Sequence, residues 1–362
     1  MTRGAGQTRG SSHVDLFRRA LVVCGAATLV VVGLLLVWYA VDVLLLVFAS
    51  LLVAIFFRGS AEALAARTRL SVGWALAVVV LGVLALGVAA ILTVVPSLAE
   101  QTDRLVETAP ASLGRLEDRI REYGWGRAAL DRMPDVDGMV PDSTDVLSRA
   151  TGVVSTTLGA VANVLIVVVL GLYLALEPHA YVSGFVRLFP DRLRTRVQEV
   201  LAELNRSLWW WLMGQLVSMA VVGTATTIGL WLAGVPVPLA LGVLSGLSEF
   251  VPTLGPLLAS IPAVLVGLAE GPRVALYAAG VFLVVQTLES YVLMPLVNKR
   301  AVSLLPAMTI SAQILMGLLV GGLGVLFATP LVLSATVLVQ MLYLEDALGE
   351  DVTLPSETES DS

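Results

Sequence analysis

The chain has 362 residues, of which 57% are hydrophobic and only 14% charged, and its mean hydropathy is +0.89. A soluble domain carries about 25% charged and about 45–50% apolar residues, so this chain lacks the polar side chains to cover a water-facing surface. The composition excludes a soluble globular protein, a disordered chain and a free nucleic-acid binder. A net charge of −6 also argues against a basic surface for nucleic acid. What remains is an all-α polytopic membrane protein, because a helix of about 20 apolar residues crosses the roughly 30 Å hydrocarbon core.

Residues 1–15 are polar and rich in Gly and Ser, which predicts a disordered N-terminus. Arg18 and Arg19 then precede a long apolar run, read as a retained signal-anchor rather than a cleaved leader. From Ala20 to Phe57 this run would be about 57 Å long as helix, enough for two spans with a turn near Trp38, Tyr39 and Asp42. Cys24, the sole cysteine, reads as helix packing. A loop at 58–70 carries Arg58, Arg67 and Arg69, and a third span follows at 71–95, so that 16–95 holds three spans.

Residues 96–150 are rich in Asp, Glu and Arg, with Leu98, Leu105, Leu113, Leu116 and Ile120 near helical spacing. This predicts a small helical insert. Asp131, Asp135 and Asp137 before Gly138 hint at a calcium loop but lack its full acidic spacing and closing Glu, so the stretch reads as a turn and no metal site is assigned. A fourth span occupies 151–176. Residues 177–206 are polar again, and Pro190–Asp191 makes a good helix start. Leu193, Val197, Val200, Leu201 and Leu204 then mark an amphipathic helix, lying on the lipid surface or packed on the bundle. Trp209, Trp210 and Trp211 suit a membrane interface.

The arginines place the insert and the N-terminus on opposite sides. The N-terminus, loop 58–70 and segment 177–206 fall in the cytoplasm, and 96–150 falls outside. The C-terminal tail at 345–362 is acidic, without Lys or Arg, and is expected to be solvated and cytoplasmic.

The core at 207–344 contains the most informative stretch. Residues 238–269 are too long for one comfortable span and too short for two, and they hold Glu249 and the cluster Pro252, Thr253, Leu254, Gly255, Pro256. A central Pro-x-x-Gly-Pro breaks helical hydrogen bonding. Irregular backbone at membrane depth is tolerated only inside protein or beside water, so the segment reads as a re-entrant hairpin of two half-helices. With a hairpin here, a sixth span at 273–296 runs inward and delivers Lys299 and Arg300 to the cytoplasm. Residues 303–344 supply two more spans joined near Gly321, Gly322 and Gly324. The total is about eight transmembrane helices plus the hairpin.

Glu289 lies inside the sixth span with Gln286 three residues before it. Ionisable groups within spans are expensive and usually face a cavity or a partner. Paired carboxylates at membrane depth can exchange protons or bind a cation, while an interfacial, hydrogen-bonded Glu is the structural alternative. Gly242-x-x-x-Gly246 and Gly317-x-x-x-Gly321 have helix-packing spacing. Enzyme readings fail: there is no Walker loop, since the sole lysine follows Asn298, and no His-Glu-x-x-His. His13 and His179 lie outside the spans, and Ser245 and Ser248 read as capping or packing serines. No catalytic residue and no cofactor is assigned.

The C-terminal half resembles the autoinducer-2 exporter family of bacterial membrane proteins, the PerM-like permeases. The resemblance rests on Gly214–Gln215, on Gly246-Leu-Ser-Glu249-Phe-Val-Pro252-Thr-Leu-Gly255-Pro256, on Gln286-Thr-Leu-Glu289 with Pro295, on Leu304-Leu305-Pro306, and on Gly321-Gly322-Leu-Gly324 with Pro330. Asn298–Lys299–Arg300 stands where relatives often have a glycine-containing turn. The resemblance implies a multi-pass, homo-oligomeric transporter of the bacterial inner membrane, associated with autoinducer-2 export or, in some members, sodium/proton exchange. The expected substrate or ion pathway is Glu249, Pro252, Gly255, Pro256, Gln286 and Glu289. Pro295, Pro306, Gly321, Gly324 and Pro330 are the expected hinges. The expected partners are the lipid bilayer, a small-molecule or ion substrate and further copies of the chain, with no nucleic acid. Three functions stay open: an ion-coupled exporter of a small polar solute, a monovalent cation/proton antiporter, and a non-transporting scaffold.

Overall fold

A computed structural model describes residues 40–89, 92, 162–252, 254–297 and 304–346. The expectations for the N-terminus, the insert at 96–150, Lys299–Arg300 and the tail beyond Asp346 lie outside these residues, as does Thr253. Every regular element described is helical: α1 Ala40–Arg67, α2 Val72–Ala89, α3 Ala162–Leu176, α4 Pro178–Val186, α5 Asp191–Leu232, α6 Pro238–Ser248, α7 Leu254–Glu270, α8 Pro272–Leu288, a π-helical turn Glu289–Leu293, α9 Met294–Val297, α10 Pro306–Val320, α11 Gly322–Val339 and a closing π turn Gln340–Glu345. The chain is an all-α polytopic membrane protein. Among the described residues five helices are long and apolar enough to cross a bilayer, or six when the pair α3–α4, bent by 83°, is counted as one span. Their outer faces carry exposed large apolar side chains, such as Trp74, Leu86, Trp231 and Leu283, which only lipid can cover without cost.

Local sequence sets the helix starts. Pro178, Pro238, Pro272 and Pro306 stand in the first turns of α4, α6, α8 and α10, where the missing N–H costs nothing. Three details depart from expectation. Arg58 and Arg67 lie within α1, which continues through the predicted loop, and Arg58 holds Glu62 at 2.6 Å one turn on. The amphipathic segment and span five form one helix, α5, of 42 residues, about 63 Å long, since nothing after Asp191 breaks the hydrogen-bond ladder. Trp211 does not anchor the interface: it is buried and meets Phe250 edge-on at 5.8 Å between ring centroids.

α5 is the axis of the bundle. Its first half joins α1 and α11 through Leu45, Leu52, Leu208, Leu212, Phe327 and Leu333. Its far end joins α6, α7 and α8 through Leu230, Leu241, Ala263 and Phe282. At the N-terminal end, Val200 packs on Val337 and Met341. There Arg196 donates to the Met341 carbonyl at 2.7 Å and pairs with Glu345 at 2.6 Å, Asp346 at 3.0 Å and Glu199 at 3.1 Å. Glu345 and Asp346, expected to be solvated tail residues, are therefore tied to the helix bundle, because a single guanidinium offers enough donors to hold several acceptors.

The α5–α6 crossing uses the predicted small-residue spacing. A Cβ built on Gly246 would lie 2.6 Å from the Met219 carbonyl oxygen and 3.1 Å from Gly223 Cα, so backbone meets backbone there. Gly246→Leu is expected to lower the thermal unfolding midpoint of the detergent-solubilised protein by the equivalent of about 1–3 kcal/mol or more. Gly280→Ala, where the space is open, is expected to leave it unchanged.

Candidate functional site: the break between two half-helices

α6 ends at Ser248, and α7 begins at Leu254. Between them the backbone turns tightly: Phe250 N–H donates to the Leu247 carbonyl, Val251 to Ser248, and Gly255 to Val251. The half-helices then press together at Gly255, where any Cβ would overlap the Ser248 carbonyl. Only glycine fits that contact.

Two glutamines from other helices hold the break. Gln215 of α5 donates its amide to the Glu249 carbonyl at 2.5 Å. Gln313 of α10 donates to the Pro252 carbonyl at 3.1 Å. Backbone carbonyls that a broken helix leaves exposed are thus given donors inside the protein, as hydrocarbon requires. Gln313 and Thr309 are the buried residues of α10, so this helix meets the core along one polar edge. Nearby, Ser245 and Thr226 hydroxyls lie 3.4 Å apart between α6 and α5.

The second half of the site comes from α8. Its regular ladder gives way at Glu289 to a π turn, and Met294 N–H reaches back five residues to the Glu289 carbonyl. Pro295 follows and has no N–H to offer Tyr291, so the regular pattern cannot resume before it. Wide turns of this kind recur at functional sites. Here the widening presents Glu289, which is only 5% exposed. Gln286 donates its amide to the Glu289 carboxylate. Glu249, 1% exposed, lies close enough to Glu289 for the two carboxyl groups to interact electrostatically.

A cavity of about 410 Å³ opens between the break and α8, lined by Pro252, Pro256, Ser260, Gln286, Glu289 and Ser290 among others. A second, apolar cavity of about 240 Å³ lies toward α5, lined by Val221, Val222, Ala225, Val285 and Glu289 among others. Glu289 is the one residue shared by the two linings.

This arrangement matches a known family over nearly the whole sequence: residues 28–343 fit the model of the AI-2E family transporter. The chain belongs to the AI-2E transporter family. It is 34% identical over 158 residues to YueF of Bacillus subtilis, named a transport protein, a match covering 44% of this chain and 43% of YueF. The match to YueF therefore spans less than half of that relative. It is 29% identical over 289 residues to MT0215 of Mycobacterium tuberculosis, also named for transport, covering 79% of this chain and 76% of the relative. PerM of Escherichia coli, a permease by name, is 27% identical over 267 residues, covering 71% and 76%.

Of the pathway residues expected in this AI-2E family member, Pro252, Pro256, Gln286 and Glu289 line one cavity. Glu249 and Gly255 stand behind it in the break. The expected hinges are scattered. Pro295 follows the π turn in α9, and Pro306 opens α10. Gly321 makes the α10–α11 turn at φ 75°, Gly324 packs under the Met316 carbonyl, and Pro330 is buried inside α11. The sequence reading missed Gln313 and gave Gln215 no role. Their signal was a polar residue within an apolar helix, for Gln313 one turn after Thr309 on the same face.

Gln215→Leu is expected to strand the Glu249 carbonyl and to cost about 1–3 kcal/mol. Thermal unfolding in detergent checks this, and an unchanged midpoint would show that the carbonyl does not need the amide.

Proposed function

We propose that this multi-pass membrane protein is a secondary transporter that exports a small polar solute, such as an autoinducer-2-like signalling molecule, using an ion gradient. The observation that carries the reading is the position of Glu289: buried, set in a π turn, electrostatically coupled to Glu249, and lining two cavities. A carboxylate between two cavities can exchange a proton or cation with one and then the other. The Pro252–Pro256 break offers polar backbone to a solute at the same place, as discontinuous helices do in other transporters. Two facing carboxylates repel unless a proton or cation sits between them, which couples loading of the ion to the shape of the site.

On this reading the protein is not an enzyme. It sits in the bacterial inner membrane as a homo-oligomer with both termini in the cytoplasm, and the hairpin is re-entrant. A monovalent cation/proton antiporter is the second reading. It is favoured by the character of the buried ionisable groups: Glu203, Glu249 and Glu289 are acidic, and among the described residues no basic side chain is buried with them.

Proton flux in liposomes holding the purified protein and an internal pH dye separates these readings. Flux that needs an organic solute is expected for the exporter, and flux with sodium or potassium alone for the antiporter. Glu289→Gln is expected to abolish either flux while the protein still folds. Full flux in that variant would remove Glu289 from the mechanism.

A further inference from the structure

α4 follows α3 after a single residue, Glu177, yet the two helices are bent by 83° to each other. The nine residues of α4 make about 13 Å of helix, and at that angle they advance only about 2 Å along the α3 axis. α4 therefore adds almost nothing to a crossing. With α3 running through the bilayer, α4 lies across its end, close to the plane of the membrane.

The side chains of α4 divide by face. Tyr181, Phe185 and Leu188 stand at i, i+4 and i+7 with Val182 beside them, and all four are exposed, Leu188 to 79%. The turn that carries Leu188 continues the helix: Arg187 N–H donates to the Ser183 carbonyl and Leu188 N–H to the Phe185 carbonyl, both at 3.1 Å. Phe189 extends the stripe, its ring centroid 5.4 Å from that of Phe185. His179, Ser183 and Arg187, each four residues from the next, mark the opposite, polar edge and are exposed. Val186 is the single buried residue of α4, so the helix touches the bundle along a narrow line.

A stripe of four large apolar side chains is costly in water. Two observations say what covers it. The stripe starts one turn after a membrane span, so hydrocarbon is at hand, and an aromatic such as Tyr181 suits the depth where a span ends. Arg187 and Arg192 are exposed and have no ion-pair partner among the described residues, whereas Arg194 is held by Asp191. An apolar stripe flanked by unpaired guanidinium groups matches a phospholipid surface, with acyl chains on one side and phosphate on the other. Segment 193–204, which the sequence offered for the lipid surface, packs on the bundle instead, at Val200. We propose that α4 is an interfacial helix: its Tyr181–Phe185–Leu188 stripe lies in the acyl boundary of the phospholipid layer, and Arg187 and Arg192 contact headgroup phosphates. The surface is distinct from the break at α6–α7 and does not depend on what that break carries.

Site-directed fluorescence on the full-length protein in phosphatidylcholine nanodiscs tests this. In a Cys24→Ser background, Val182→Cys, Phe185→Cys, Leu188→Cys and Ser183→Cys each carry one environment-sensitive dye. Quenching by lipids with a nitroxide on the acyl chain is expected to be about twofold or more stronger at Phe185 and Leu188 than at Ser183, and quenching by aqueous iodide is expected to show the reverse order. Equal access of iodide to all four positions would place the stripe in water and overturn the proposal. Shielding of Phe185 and Leu188 from both quenchers would overturn it too, since protein, such as a second copy of the chain, would then cover the stripe. Adding Arg187→Gln and Arg192→Gln is expected to raise iodide access at Leu188. Unchanged access would overturn the phosphate contact.

Discussion

Hydrocarbon gives an unpaired backbone group no water to bond with, and that constraint organises this protein. A helix interrupted at Pro252 and Gly255 leaves carbonyls that its own ladder cannot satisfy. Gln215 and Gln313 answer two of them, at the Glu249 and Pro252 carbonyls. The amides come from α5 and α10, so satisfying the break also fixes how those helices lie around it. Those two hydrogen bonds therefore tie the shape of the site to the packing of the bundle.

Close packing makes that arrangement possible. Gly223 and Gly246 let α5 and α6 touch at backbone distance, and Gly255 lets α7 fold onto the end of α6. Once the half-helices lie this close to α5, the amide of Gln215 reaches a carbonyl that a bulkier interface would hold away. α8 closes the other side. Its π turn, which ends just before Pro295, brings Glu289 to Glu249. Two acidic side chains far apart in sequence become one electrostatic unit at the point where the backbone is least regular.

The proposed transport role draws on that unit. A polar, irregular segment is enclosed by apolar helices, and Glu289 lines two cavities. At the other end of α5, Arg196 binds the end of the last described helix through Glu345, Asp346 and the Met341 carbonyl. A single 42-residue helix thus connects an ionic cluster at one end to the break at its middle.

The sequence by itself determined the membrane class, the all-helical fold and the position of the break. Hydrophobic excess leaves no alternative to lipid, and Pro252, Gly255 and Pro256 act on the local backbone wherever the rest of the chain lies. Glu249 and Glu289 were legible too, because charge inside an apolar run is conspicuous. Local rules failed where continuity or pairing mattered. A polar stretch after Asp191 looked like a separate helix because polarity, unlike proline, does not end a hydrogen-bond ladder. Trp211 looked like an interface anchor because its neighbours are aromatic, yet Phe250 from a distant segment draws it inward. Only the tertiary structure decided that Gln313 meets Pro252, that Gln215 meets Glu249, and that the two glutamates face each other. Periodicity tells which face of a helix is polar, but the partner of that face is set by how helices cross, and that depends on packing contacts summed over the whole bundle.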